Sequence, residues 1–525
     1  MTRKSVVSSA ISTLILVFAF YLILTRNMAV GLHLVNSDTL YLEMIYRGLV
    51  LNHEPVSHFL LMASPEFLHM LLYFICRLFV SGPPHAIIAA TLISLVLFYL
   101  LFLKIIRLVT SNKIEFQLYQ GVILLGITLL SVSFFWTMGS LDESLAFDDH
   151  FLNIGVMNLL ALWLLLRILF VPGKIALGLI LLFVSVFFPC LSDPTYLTCF
   201  VCPALMSLLF CLISYPTLRK KTVASGLTVL IAACLGYFLL RHLDLLHIQV
   251  NYNHIENPFH RNILAMIGVL IHAFLKWMEV EPPLFFLWGV SIIYLFKINR
   301  NNRIFSFIQV FLLSMFCVGL LAIIFFDPDV APGVPVSLHI ARHISPVIYL
   351  PIFFMSVRMI RLFCALGTQE KIAKYFKLLI LIIQIGILCL LPAVVSLTYL
   401  FGNPQTDWPP VQCIEQAQKQ YHLQQGIANY WLARPLILYA HLSIEQVTPD
   451  LYPYAWLTDT QTLQPETADF FVTNSGSKEG ISMLKKYGAP AKIVYCAIYP
   501  GSKQLQIWLY PKGISVSRIE SAQSS

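Results

Sequence analysis

Charge is what this sequence has least of. Asp, Glu, Lys and Arg together make up 11% of 525 residues, and hydrophobic residues make up 58%; mean hydropathy is +0.78. A soluble globular domain carries about 25% charged residues, so a soluble enzyme is excluded, as is a disordered chain, which needs the opposite balance. There is no glycine-rich phosphate loop, which removes the usual signature of a nucleotide-binding fold. No Asn-x-Ser/Thr sequon occurs, which fits a bacterial inner membrane better than a glycosylating endoplasmic reticulum. Internal repeats of fixed period and low-complexity tracts are also missing. Paired broken helices from inverted repeats, expected of a transporter, are not evident.

What is present is a polytopic integral membrane protein. The net charge of +8 sits in short Lys/Arg clusters at span ends rather than on one polar face, so the positive-inside rule explains it better than nucleic-acid binding. The candidate cytoplasmic marks are Arg3/Lys4, Lys104/Arg107/Lys113, Arg167/Lys174, Arg219/Lys220/Lys221, Lys297/Arg300/Arg303 and the run from Arg358/Arg361 to Lys377. Between them lie loops holding most of the acids and histidines: 26–57, Leu141 to His150, Ser192 to Thr195, Arg241 to Arg261 and Asp327 to His343. The first apolar run, Ser8 to Leu24, follows Arg3 and Lys4 without a small-x-small cleavage site, which predicts an uncleaved signal anchor with a cytoplasmic N-terminus.

Two places strain this two-sided pattern. Segments 58–80 and 85–106 are both apolar enough to cross, but counting both would invert every later loop. Pro65, Glu66 and His69 interrupt the first, which predicts a re-entrant or interfacial helix there. By the same parity, 261–279 and 283–298 supply one crossing between them. The expectation is about eleven spans, within about ten to thirteen.

From Gly402 onward the chain becomes polar. Residues 1–401 therefore read as a transmembrane module and 402–525 as a small soluble α/β domain on the outer face. Strand-like runs occur at Phe470-Phe471-Val472, Lys492 to Cys496 and Leu505 to Tyr510, and a helical stretch at Ile481 to Tyr487. Nine of the eleven cysteines sit in or beside apolar spans, where a thiol is an ordinary small hydrophobe. Cys413 and Cys496 are the exceptions. In an oxidising compartment they form a disulfide candidate, the alternative being two unpaired buried thiols.

Chemistry is sought on the outer face. Asp38 follows the first span in the run His33-Leu34-Val35-Asn36-Ser37-Asp38, where a carboxylate in a partly desolvated cleft can take a proton from an attacking hydroxyl or amine. Its position before Thr39-Leu40 also suits a helix N-cap, and the two roles are compatible. The residues from Thr39 to His53 read as a short amphipathic helix. Glu43 and Glu54 are alternative bases in the same loop. A second acidic group, Asp142-Glu143 with Asp148-Asp149-His150, offers oxygen and imidazole donors that suit magnesium or manganese, or simply marks a solvated loop. Asp149 and His150 begin an apolar helix, where ionisable groups are costly and often functional. Arg241, Arg261, Arg342 and His343 are the anion-binding candidates. Arg342 is preferred as a bidentate phosphate ligand, whereas Arg241 and Arg261 equally suit snorkelling to lipid headgroups.

These residues carry a resemblance. One span, then Asp38, then a helix at Tyr41 to Leu51, then the Pro-containing stretch Ser64-Pro65-Glu66-Phe67-Leu68, resembles the GT-C class of membrane glycosyltransferases, which includes protein O-mannosyltransferases and lipid A aminoarabinose transferases. Ser144 to Arg167, Arg342-His343-Ile344-Ser345-Pro346, and Gly426-Ile427-Ala428-Asn429-Tyr430-Trp431-x-Ala433 are similar to further segments of that class. The resemblance implies inverting transfer of a sugar from a polyprenyl-phosphate donor to an envelope glycolipid, polysaccharide or protein acceptor at the periplasmic face of the inner membrane. In that scheme Asp38 is the general base, Asp149 or Asp148 orients the acceptor or supports a metal, and Arg342 holds the departing lipid phosphate. The alternatives are a membrane polysaccharide polymerase or ligase, and a non-catalytic transporter or scaffold.

Overall fold

The computed structural model describes residues 37–62, 67–80, 82–110, 149–173, 175–243, 249–251, 263–280, 282–296, 302–326, 350–351, 409–439, 442–447, 467–496 and 505–515. The chain is a helical, multi-pass membrane protein. Five described segments are long and apolar enough to cross a bilayer: His85–Val109, Ile175–Ser192, Leu197–Ser214, Pro216–Arg241 and Arg303–Ala322.

The membrane part runs as α1 (Ser37–Tyr46), β1 (Leu60–Met62), α2 (Phe67–Phe79), α3 (Pro83–Val109), α4 (Asp149–Phe170), α5 (Ile175–Ser192), α6 (Cys202–Ser214), α7 (Arg219–Arg241), β2 (Gln249–Asn251), α8 (Ile263–Val280), α9 (Pro282–Leu295) and α10 (Arg303–Phe326). Helix α3 packs on α4, α5 on α7, and α6 on α10. Small residues set the closest of these approaches. A Cβ on Gly236 of α7 would lie 2.6 Å from the Phe187 carbonyl oxygen and 2.9 Å from Cys190 Cβ of α5, so only glycine lets the two backbones meet there. Helix α5 also carries Pro189 in its interior. Proline has no N–H, which leaves the carbonyl of Ser185 without its helical donor; the Tyr196 hydroxyl donates to that oxygen at 3.2 Å. A π-helical turn, Leu197–Val201, then leads into α6.

Side-chain contacts sort the helix ends into two sets. At one end Lys104 lies over the Trp163 ring at 4.8 Å and Arg167 over the same ring at 5.0 Å. Lys221 donates to the carbonyls of Leu169 and Val171, and Arg303 lies over the Tyr215 ring at 5.4 Å. These are members of the basic clusters expected in the cytoplasm. The opposite end holds the far terminus of α7. There β2 pairs in parallel with β1, Leu60 opposite Gln249 and Met62 opposite Asn251, so the loops containing 58–62 and 249–251 share one side.

Of the two strained places, the first contains α2 and α3, and only α3 is long and apolar enough to cross. Helix α2 has 13 residues, about 20 Å, short of a hydrocarbon core of about 30 Å. Its Met70, Tyr73 and Cys76 are buried while Leu71, Ile75, Leu78 and Phe79 are exposed, so one face packs on the protein and the other is open and apolar. The second holds two helices, α8 and α9, neither of which is among the five membrane-length segments.

The C-terminal part comprises α11 (Pro409–Tyr421), β3 (Gln425–Asn429), α12 (Tyr430–Tyr439), β4 (Ser443–Val447), β5 (Thr467–Asn474), α13 (Lys478–Tyr487), β6 (Lys492–Cys496) and β7 (Leu505–Ser515). The strand order is β4-β3-β5-β7-β6, with β3 parallel to β4 and β5, and β7 antiparallel to β5 and β6. Both sheet faces are covered. Phe470, Val472, Ile507 and Leu509 pack with α11 and α12, while Phe471, Trp508 and Ile514 pack with Met483 of α13. Ala468 shares the face of Phe471 because a bulge shifts the register between Ala468 and Phe470, which offsets the alternation by one residue. Cys413 of α11 and Cys496 of β6 are joined by a disulfide, 83 residues apart in sequence.

Two expectations follow. Cysteines placed at Arg219 and at Gln249 should label from opposite sides of sealed vesicles; labelling from the same side would overturn the assignment of helix ends. Gly236→Val should cost about 1–3 kcal/mol through overpacking, read as a lowered unfolding temperature in detergent, and a neutral result would mean α5 and α7 are not in backbone contact.

Candidate active site around helix α1

Helix α1 carries Asp38 at its second position. A carboxylate there is favoured by the positive end of the helix dipole. The helix is not amphipathic. Leu40, Tyr41, Leu42, Glu43, Ile45 and Tyr46 are all buried, covering every face, because α1 lies between two bodies. On one side it meets α2 and α3; on the other it meets α12. Leu40 belongs to the core of the C-terminal sheet together with Ile414, Ala433, Phe470 and Leu509, and Met44 packs against the same cluster.

A single ion cluster holds α1 to α2. Glu43, with its side chain 0% exposed, accepts from Arg77 Nε at 2.9 Å and Nη2 at 3.3 Å, from the Tyr73 hydroxyl at 2.7 Å and from Arg47 Nε at 2.9 Å. Arg77 also lies over the Tyr46 ring at 5.4 Å and donates Nη1 to the Val80 carbonyl. Burial alone would raise the Glu43 carboxyl. The hydrogen bonds from Arg77, Tyr73 and Arg47 outweigh it and hold the group below the ordinary value of 4.5. Four donors on two carboxylate oxygens leave it no capacity to take a substrate proton. Glu43, expected as an alternative base, is therefore the anchor of α1.

The chain leaves α1 through a π-helical turn, Arg47–Leu51. Gly48 is buried in it, and a Cβ there would sit 2.2 Å from Phe59 Cζ and 3.0 Å from Glu54 Oε2. His53 takes a left-handed conformation, φ 57°, turning the chain back so that the Glu54 amide bonds the Gly48 carbonyl at 2.8 Å. Glu54 is half-buried and accepts from Asn52 at 2.9 Å.

The remaining candidates fall in three groups. Asp149 and His150 form the first residues of α4; their side chains, like that of Asp38, lie outside the described residues. Arg241 ends α7, exposed, with Nε on the Tyr237 hydroxyl at 3.0 Å. Asp142, Glu143, Asp148, Arg261, Arg342 and His343 lie outside the described residues. Among the described residues no group of three or more His, Cys, Asp or Glu is placed to hold a metal ion. Sequence reasoning missed Arg47, Arg77 and Tyr73. The i,i+4 spacing of Glu43 and Arg47 was a usable signal, whereas Arg77, 34 residues on, was not.

Comparison with known proteins gives one kind of match. No protein-family profile and no curated protein matches the sequence. Among solved structures the chain is similar to ArnT from Cupriavidus metallidurans bound to undecaprenyl phosphate, with a TM-score of 0.52 at 13% identity over 97% of this chain and 98% of that one. The chain thus has the GT-C-like fold of ArnT along nearly its whole length.

The ion cluster generates a pH expectation. Because the folded carboxyl is lowered, its stabilisation is complete above the unfolded value near 4.5 and is lost as pH falls through the lower folded value. Glu43→Gln leaves two guanidinium groups without their anion and should cost about 3–5 kcal/mol at pH 7. That penalty should shrink in acid, where the wild-type carboxylate is also protonated. Thermal unfolding in detergent at both pH values checks this, and a pH-independent difference would contradict it.

Proposed function

We propose that the protein is a membrane glycosyltransferase that moves a sugar from a polyprenyl-phosphate donor to an envelope acceptor, a glycolipid, polysaccharide or protein, at the periplasmic face of the inner membrane. The observation that carries this reading is the position of Asp38 on a helix buried between the spans and the C-terminal sheet, within a fold shared with an undecaprenyl-phosphate-bound protein. Such a donor needs an apolar groove for its tail, a cation for its leaving phosphate and a base on the opposite side.

In this reading Asp38 takes the proton of the acceptor hydroxyl or amine as that atom attacks the anomeric carbon. The bond from carbon to phosphate oxygen breaks on the other side, so configuration inverts. Arg342, assisted by His343, pairs with the departing phosphate, with Arg241 and Arg261 as further donors near the surface. Asp149 or Asp148 orients the acceptor. A divalent ion held by that acidic pair and His150 would add positive charge there. Residues 402–525 form the outer domain, whose role is to close over α1.

Asp38→Asn keeps size and hydrogen bonding but removes the proton acceptor, so turnover should fall by about 10²–10⁴-fold with donor binding retained. Sugar transfer by purified protein, together with direct measurement of polyprenyl-phosphate binding, separates the two. Near-normal turnover of the Asn variant would reduce Asp38 to a helix-end residue and move the base to Glu54, Asp148 or Asp149.

A further inference from the structure

Glu43 balances only half of the charge gathered around it. Two guanidinium groups face one carboxylate, and both carboxylate oxygens are already filled. The two arginines differ in what they have left. Arg77 is fully engaged: Nε and Nη2 on Glu43 and Nη1 on the Val80 carbonyl. Arg47 gives Glu43 its Nε, and among the described residues its two terminal NH₂ groups have no other partner. Its side chain is 31% exposed, whereas that of Arg77 is 18% exposed. Glu43 thereby fixes the Arg47 guanidinium by one edge and turns the other outward.

The turn that carries Arg47 and the helix tied to it expose apolar side chains, beside the polar Asn52 and His53. Val50 and Leu51, three and four residues on in the same π-helical turn, are exposed. Helix α2, tied to the same carboxylate through Arg77, presents Leu78 and Phe79 at 66% and 85% exposure. A soluble anion gains nothing from such neighbours. A phosphate attached to acyl or prenyl chains gains on both counts: charge-assisted hydrogen bonds at the head and contact along the tail.

We infer that the outward edge of Arg47 is a binding site for the phosphate of a membrane lipid. Glu43 acts as its positioning residue, and the exposed side chains of the π-helical turn and α2 receive the chains. The phosphate has two possible sources, a bilayer headgroup or a polyprenyl phosphate. The second rests on the function proposed above and the first does not.

Native mass spectrometry of the full-length protein in detergent tests this with three probes: phosphatidylglycerol, a polyprenyl phosphate without sugar, and diacylglycerol. Arg47→Gln keeps an N–H for Glu43 while removing the charge. It should weaken retention of a phosphate lipid by about ten- to a hundredfold, with diacylglycerol unchanged. Loss of phosphatidylglycerol identifies a headgroup site; loss of polyprenyl phosphate alone identifies the donor. Unchanged retention of both, or equal loss of diacylglycerol, overturns the inference. Phenylglyoxal labelling of the wild-type protein provides a readout free of folding effects. Arg47 should be protected by the phosphate lipid and not by diacylglycerol, and equal labelling throughout overturns the site. Sugar transfer enters none of these measurements, so failure of the glycosyltransferase reading leaves their outcome interpretable.

Discussion

The burial of one negative charge governs how the segments around α1 are held. A carboxylate taken out of water costs several kcal/mol, and Glu43 is fully inaccessible. It is tolerated because Arg77, Tyr73 and Arg47 surround it. Each of those donors comes from a segment outside the five membrane-length helices. Arg77 and Tyr73 lie on α2, a helix too short to be fixed by spanning, and Arg47 begins the π-helical turn. The ion cluster therefore does for these segments what hydrophobic length does for the spans. Since a broken buried pair is more costly than an absent one, the arrangement is intolerant of partial loss.

Apolar packing completes the immobilisation of α1. Its charged residue faces the membrane helices, and Leu40 enters the core of the C-terminal sheet. A helix of ten residues has little stability of its own, so its geometry is set almost wholly by these neighbours. Preorganisation of this kind suits a residue that must meet a reacting atom within fractions of an ångström. The same packing shows why the amphipathic expectation for Thr39 to His53 was wrong: an element buried on two opposite sides has no polar face to display.

How much was readable beforehand follows from the range of the interactions. Local and periodic signals read well. The C-terminal strands Phe470–Val472, Lys492–Cys496 and Leu505 onward and the helix ending at Tyr487 match observed elements, because alternation and helical spacing act over a few residues. The multi-pass fold shared with ArnT agrees with the class suggested by the first loop. Features built from distant residues did not read. Strands β3 and β4 and helices α11 and α12 passed unnoticed, since Gly426 makes β3 look like a loop although it is there to admit the Phe470 ring. The pairing of β1 with β2 joins residues nearly 190 positions apart through backbone groups alone, which side-chain patterning does not encode. Glu43 looked like a reactive acid because its principal partner, Arg77, is brought to it only by the fold.

The insertion of Leu40 into the C-terminal core also has a meaning for biogenesis. Helix α1 is synthesised well before the residues that cover it, Phe470, Ile507 and Leu509 among them. Until they arrive, Leu40 and Met44 lack that cover. The helix bearing Asp38 therefore acquires its final surroundings only when β7 is in place, so an interrupted or misfolded chain presents an apolar patch to quality control.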